Sequence, residues 1–200
     1  GEGLGVEILT KYLNKFYEEF PEIEIELLAD TRSRSLSNRE TDILIALSRP
    51  KKGRLKSWKL CDYYVKLYGS NEYLKKNAKI TEIKDLTNHK FVNYADELIE
   101  FPELHYLQEI NSNPNIVFSS NSLRSQLLAV KNGIGIGLLH SFVAYKEKDL
   151  KVILPEKINI KREYWIVVHE NNFHLRRIKA VTDFVTTILN DEKKFLSTVE

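Results

Sequence analysis

The stretch Asn121–Ser141, NSLRSQLLAVKNGIGIGLLHS, decides the architecture. Asn121 or Ser122 offers a side-chain cap to a helix whose apolar face is Leu123, Leu127 and Val130. Gly133 stands where a left-handed residue ends such a helix. Ile134 to Leu139 then reads as a glycine-laced strand, and Ser141 to Asp149 as a short helix. Helix, tight turn, strand and helix in immediate succession are the rhythm of an α/β domain with a largely parallel sheet.

The same rhythm extends both ways. Towards the carboxyl end, Leu150 to Leu154 and Tyr164 to Val168 read as strands. Ile178, Val181, Val185, Ile188 and Leu189 then mark a last amphipathic helix. Towards the amino end, Ile116 to Phe118 and Phe91 to Tyr94 are short strands, Pro102 to Ile110 is helical, and Thr81 to Leu86 is a short capped helix. Tyr63 to Tyr68 is an aromatic, β-branched strand stopped by Gly69. Ile43-Leu44-Ile45-Ala46-Leu47 is a continuous apolar run, expected as a strand buried on both faces of a parallel sheet. Glu22 to Leu27 alternates Glu with an apolar residue, the pattern of a strand with one apolar face. Leu9, Tyr12, Leu13, Phe16, Tyr17 and Phe20 share one face of a helix from Leu4 to Phe20, ended by Pro21.

Composition narrows the class. Two hundred residues make one ordinary domain or two small ones, enough to bury a core without staples. Thirty Lys and Arg against 28 Asp and Glu leave a net charge of +2, which argues against a dedicated nucleic-acid or membrane-surface domain. Cys61 is the only cysteine, so neither a disulfide framework nor a cysteine metal cluster is expected, and a reducing compartment such as the cytoplasm fits. No apolar run approaches the ~20 residues that cross a bilayer, and no signal peptide begins the chain. The chain lacks Met and starts Gly1-Glu2-Gly3, as expected of a fragment or a processed product.

No catalytic constellation, cofactor site or metal site is expected. Gly133-Ile134-Gly135-Ile136-Gly137 ends a helix and enters a strand, the reverse of a dinucleotide-binding loop. Those glycines imply close backbone approach, either to a neighbouring strand or to a ligand. None of the five histidines has metal-ligand spacing, and His140 alone sits at a strand-to-helix junction. What recurs is a polar, cap-rich loop after a strand: Thr31 to Ser37, Asn93 to Asp96, Ser119 to Ser122, and His140-Ser141. Singly, each loop caps a helix. Gathered at the carboxyl ends of parallel strands, the four suit a polar or anionic small molecule. Arg32, Arg34 and Arg124 could meet a carboxylate or face solvent.

Several segments, taken in order, resemble the effector-binding domain of LysR-type transcriptional regulators. The first helix with Pro21-Glu22-Ile23-Glu24-Ile25-Glu26-Leu27 resembles the family's "LxxFxxxYPxIxLEL". Ser35-Leu36-Ser37-Asn38-Arg39-Glu40-Thr41-Asp42-Ile43 resembles "LSRREADIA", a signature of one clade. Asn121-Ser122 followed by Ala129 to Leu139 resembles "NS…AVxxGxGIxxLP". Trp165 to His169 with Arg176 to Val181 resembles the closing strand and helix. The likeness covers nearly the whole chain.

The resemblance implies a two-lobed fold like that of type-2 periplasmic binding proteins, two Rossmann-like subdomains joined by two crossover segments. Lobe one would comprise residues 1–67 plus 168–200 and lobe two residues 68–167, with the family's first strand missing. An effector would sit between the lobes, against Glu2, Gly3, Arg34, Asn93, Tyr94, Asn121, Ser122, Gly137 and His140. The amino-terminal winged helix-turn-helix is absent, so operator DNA would be reached only through that missing part. A homodimer, or a homotetramer at full length, is implied, with the Glu22–Leu27 segment as a dimer edge. A stand-alone solute-binding protein of the same fold is the alternative. Three positions depart from the family pattern. Ala46 stands where Arg is frequent, His140 where Pro is usual, and Lys11 where Pro is usual.

Overall fold

The computed structural model describes residues 2–29, 41–95, 102–192 and Leu196. The chain divides into two units, one from Gly1–Asp62 and Glu163–Ser197, the other from Tyr63–Arg162. Two long strands, β2 (Leu55–Ser70) and β7 (Asn159–His169), carry the chain from one unit into the other.

In the first unit, helices α1 (Glu2–Glu7) and α2 (Leu13–Glu19) flank a 3-10 turn at Leu9–Tyr12. The expected continuous helix is therefore broken. Ile8 leaves helical geometry (φ −120°, ψ −67°), and the Thr10 hydroxyl donates 2.9 Å to the Gly5 carbonyl that a continuing helix would use. Strand β1 (Ile43–Ala46) pairs antiparallel with β7, Ile43 opposite Val168 and Ala46 opposite Trp165, and β7 lies between β1 and β2. Helix α6 (Arg176–Asp191) completes the unit, burying Ile178, Val185, Ile188 and Leu189. Its Phe184 ring lies 4.9 Å from Phe16, which is fully buried on α2.

Two expectations fail here. The run from Ile43 is paired antiparallel and is only half-buried over Ile43, Leu44 and Ile45. A short apolar run shows that a strand is covered, not which way its neighbour runs. Residues 22–29 form no strand, and among the described residues nothing pairs with the Glu22–Leu27 alternation. Alternation marks two faces but cannot supply a partner backbone.

In the second unit, helix α3 (Asn71–Lys76) is capped by Ser70, whose hydroxyl accepts from Tyr73 N. A 3-10 turn at Ile83–Asn88 carries a reciprocal cap between Glu82 and Asp85. Strands β3 (Lys90–Asn93), β4 (Asn115–Ser119) and β5 (Ile136–His140) run parallel in the order β5-β3-β4. Strand β2 joins β5 antiparallel, and β6 (Leu150–Ile153) also joins β2 antiparallel. The sheet is thus mixed rather than largely parallel, because β2 reverses direction beside both β5 and β6. Helix α4 (Leu123–Lys131) crosses from β4 to β5 as expected, and α5 is a single turn, Ser141–Ala144. Two 3-10 turns, Pro102–Leu104 and Leu107–Glu109, stand where a longer helix was expected.

The helix-to-strand segment matches its reading closely. Ser122 Oγ accepts from Ser125 N at 3.2 Å, and Gly133 takes φ 71° after the helix. Leu127 and Val130 are fully buried, each burial contributing roughly 1.5–3 kcal/mol. The two later glycines answer to neighbouring protein. A Cβ on Gly135 would lie 2.5 Å from the Lys90 carbonyl oxygen, and one on Gly137 would lie 2.8 Å from Val130 Cγ2.

Candidate functional site

The carboxyl ends of β3, β4 and β5 share one edge of the second unit, and three of the four polar loops end there. The Ser120 N–H donates 3.1 Å to the Asn93 carbonyl, and Ala95 N–H donates 3.4 Å to the Ser120 carbonyl. The Gln126 amide reaches back from α4 to the same Ser120 carbonyl at 2.9 Å, while Ser120 Oγ accepts from Ser122 N at 3.1 Å. The β3 and β4 ends are therefore knitted to the start of α4. Asn93 and Tyr94 are buried beneath this edge, Ser122 is half-buried and Asn121 is exposed. Two polar side chains thus remain on the surface where the dipole of α4 favours negative charge.

His140, at the end of β5, lies in the core of this unit. Its Nε2 is 3.3 Å from the Tyr106 hydroxyl, which is 3.2 Å from the Tyr63 hydroxyl. Its ring lies 4.8 Å from Tyr63 and 5.5 Å from Phe142. Burial pushes the imidazole pKa down to about 3, so the ring is neutral at physiological pH. Arg162 stacks over Tyr106 at 5.4 Å and pairs with Glu109. His140, where the family pattern has Pro, is thus a hydrogen-bonding member of a buried aromatic cluster. Its partners lie far away in sequence, and no spacing rule pointed to Tyr63 or Tyr106.

Lys66 was also not singled out in the sequence. It stands on β2 opposite Leu139, one pair from His140, and is 1% exposed. Among the described residues it forms no ion pair or hydrogen bond. Burial lowers its pKa, with the charge of Glu156 acting in the opposite sense.

Of the other sequence-predicted residues, Arg124 stands exposed in the first turn of α4 at this edge. Gly137 is covered by Val130. Glu2 and Gly3 belong to the first unit, on α1, where Gly3 is buried. Arg32, Arg34 and the Thr31–Ser37 loop lie outside the described residues. Among the described residues, no group of three or more His, Cys, Asp or Glu is placed to hold a metal ion, and no helix is long and apolar enough to cross a membrane. What this edge can do chemically is bind, by hydrogen bonds and charge.

The family model for the LysR substrate binding domain matches residues 1–189. The chain belongs to that family. The glycine cleavage system transcriptional activator homolog of Haemophilus influenzae is 23% identical over 194 residues, covering 94% of this chain and 64% of that protein. The chain thus spans less than two thirds of that LysR-type relative. The regulatory domain of CrgA, a LysR-type regulator of Neisseria meningitidis, matches with a TM-score of 0.77 at 21% identity, covering 93% of this chain and 94% of that one. The Synechocystis CcmR regulatory domain, solved in complex with 2-PG, matches with a TM-score of 0.72 at 15% identity, covering 92% and 91%. The fold is that of LysR regulatory domains, the two-lobed, periplasmic-binding-protein-like class. These relatives favour the regulator over a stand-alone solute-binding protein.

Proposed function

We propose that this chain is the effector-sensing part of a LysR-type transcriptional regulator, acting in the cytoplasm by binding rather than catalysis. Family membership over residues 1–189 carries this reading. The ligand is a small polar or anionic molecule held between lobes at residues 1–67 plus 168–200 and 68–167. Glu2, Gly3 and Arg34 serve it from the first lobe. Asn93, Tyr94, Asn121 and Ser122 serve it from the second, with His140 acting through Tyr106 and Gly137 giving β5 its close approach to Val130. The dipole at the start of α4, beside exposed Asn121 and the Ser122 cap, supports an anion, and the 2-PG complex of CcmR supports a small-molecule ligand in this fold.

The mechanism is a shift between conformations. A ligand that binds one arrangement more tightly raises that arrangement's population, and only this difference in affinity can alter DNA binding elsewhere. Operator contact belongs to an amino-terminal winged helix-turn-helix outside this chain. Pairing as a homodimer is supported by exposed Val6, Leu27 and Leu28 in the first unit, and by exposed Ile116, Val117 and Leu128 in the second. A two-fold pair would join the first patch of each subunit to the second patch of its mate.

The test is thermal denaturation of the 200-residue chain with small carboxylates, amino acids, aromatic acids and sugars. A ligand of the folded form raises the melting temperature as its concentration passes Kd. The expected hit is an anion, with Kd weakened by about tenfold or more in Asn121→Ala/Ser122→Ala, as for losing a charge-assisted hydrogen bond. Unchanged Kd values would place the site elsewhere. No shift with any of the four classes would count against a polar small-molecule effector.

A further inference from the structure

The chain's near-zero net charge conceals a strongly positive surface at one end of the first unit. Residues 49–59 carry six cations and no carboxylate, and residues 169–179 carry three cations and one carboxylate. The topology brings these segments together. The first residue of β1, the last of β7 and the first of β2 all lie at the same end of their strands. The Glu170 N–H donates 2.9 Å to the Arg54 carbonyl, and the Arg54 guanidinium is 3.5 Å from the Glu170 carboxylate. The Lys56 ammonium sits 4.0 Å from the centre of the exposed Phe173 ring. The first turn of α6 joins the same end through Arg177, 3.9 Å from Asp42.

Three features set this surface apart from ordinary solvated charge. First, Lys51, Lys52, Lys56, Arg176 and Lys179 are exposed and form no ion pair among the described residues. In the second unit, by contrast, the exposed lysines without an ion pair, Lys75, Lys79, Lys90, Lys148, Lys151 and Lys157, are divided among α3, β3, β6 and the turns between elements rather than gathered at one end of a sheet. Second, α6 begins with Arg176-Arg177 and no side-chain cap. Cations there oppose the helix dipole, so helix stability does not explain them. Third, an aromatic face is exposed among the cations, with Trp58 and Phe173 edge-to-face at 6.0 Å. Unpaired Lys and Arg around an aromatic ring form a surface for a polyphosphate backbone.

We propose that this cationic end binds the phosphate backbone of double-stranded DNA without regard to sequence. The choice of DNA over other polyanions rests on the regulator reading. A head bound at an operator holds nearby duplex at high effective concentration, so exposed cations of modest intrinsic affinity suffice. The contact adds to the missing head's recognition and carries no operator specificity.

The test is fluorescence anisotropy of a labelled 30-base-pair duplex of arbitrary sequence titrated with the 200-residue chain between about 20 and 200 mM salt. Binding at low salt is expected, with a log–log salt slope of about −3 to −4, as for four neutralised phosphates. The exposed triple variant Lys52→Glu/Arg54→Glu/Lys56→Glu should weaken binding by about tenfold or more and flatten the slope. Lys75→Glu/Lys79→Glu/Lys148→Glu makes the same change in net charge on the second unit and should retain most of the binding. Matching melting temperatures establish that both variants fold. No binding by the wild type, equal loss in both variants, or binding to vesicles of acidic phospholipid in preference to duplex would overturn the proposal. The carboxylate thermal shift, read on the same proteins, separates the two ideas. Its survival without duplex binding sinks only this proposal, and its failure beside patch-dependent duplex binding sinks only the effector reading.

Discussion

His140 shows how one side chain ties stability to pH. Its pKa falls from about 6.5 in the unfolded chain to about 3 in the fold, because burial penalises the charged ring. A neutral ring in the fold and a protonatable one outside it mean that stability is complete above pH 6.5. It is lost as pH falls from there towards 3. By pH 5 the loss attributable to this ring is about 2 kcal/mol. His89, also buried and bonded through Nδ1 to the Tyr73 hydroxyl at 3.3 Å, is shifted the same way by burial and adds to the trend. Urea denaturation at pH 7 and pH 5 should therefore show a steeper loss in the wild type than in His140→Phe. Equal losses would mean that the imidazole is charged inside the fold.

At the scale of elements, the tightest constraint is where β5 meets β3. Gly135 sits against the Lys90 carbonyl, a backbone atom that cannot move without disturbing the pairing of Phe91 with Ile136. Gly135→Ala should destabilise by about 2–3 kcal/mol, an overpacking cost, and lower Tm by about 5–10 °C. An unchanged Tm would show that the strands part easily. The segment from Ser122 to His140 was legible because its signals are local: a cap, an apolar period, a left-handed glycine and a short strand. The Glu22–Leu27 alternation was equally clear as a pattern yet forms no strand, because a strand needs a partner that no local pattern specifies. The antiparallel course of β1 and β2 was hidden for the same reason. The polar edge at Asn93, Ser120 and Ser122 could be read from its caps. The cluster of His140, Tyr106 and Tyr63 could not, because tertiary packing alone brings those rings together.

At the scale of the molecule, both passages between units fall inside regular strands, at Asp62–Tyr63 in β2 and Arg162–Glu163 in β7. Backbone held in strand geometry is a poor protease substrate. Limited trypsin digestion should leave Lys59, Lys66 and Arg162 uncut while cleaving exposed Lys51 or Lys52 in the turn before β2, as fragment masses would show. Early cleavage at Lys66 or Arg162 would mean that the passages open locally. The same arrangement bears on synthesis. Residues 63–162 of the second unit are one continuous stretch, whereas the first unit is assembled from segments on either side of it. On the ribosome, residues 63–162 can therefore close their core while α6 is still untranslated. Until α6 emerges, Phe16 waits without Phe184, and the first unit's apolar surface is exposed to whatever else the nascent chain meets.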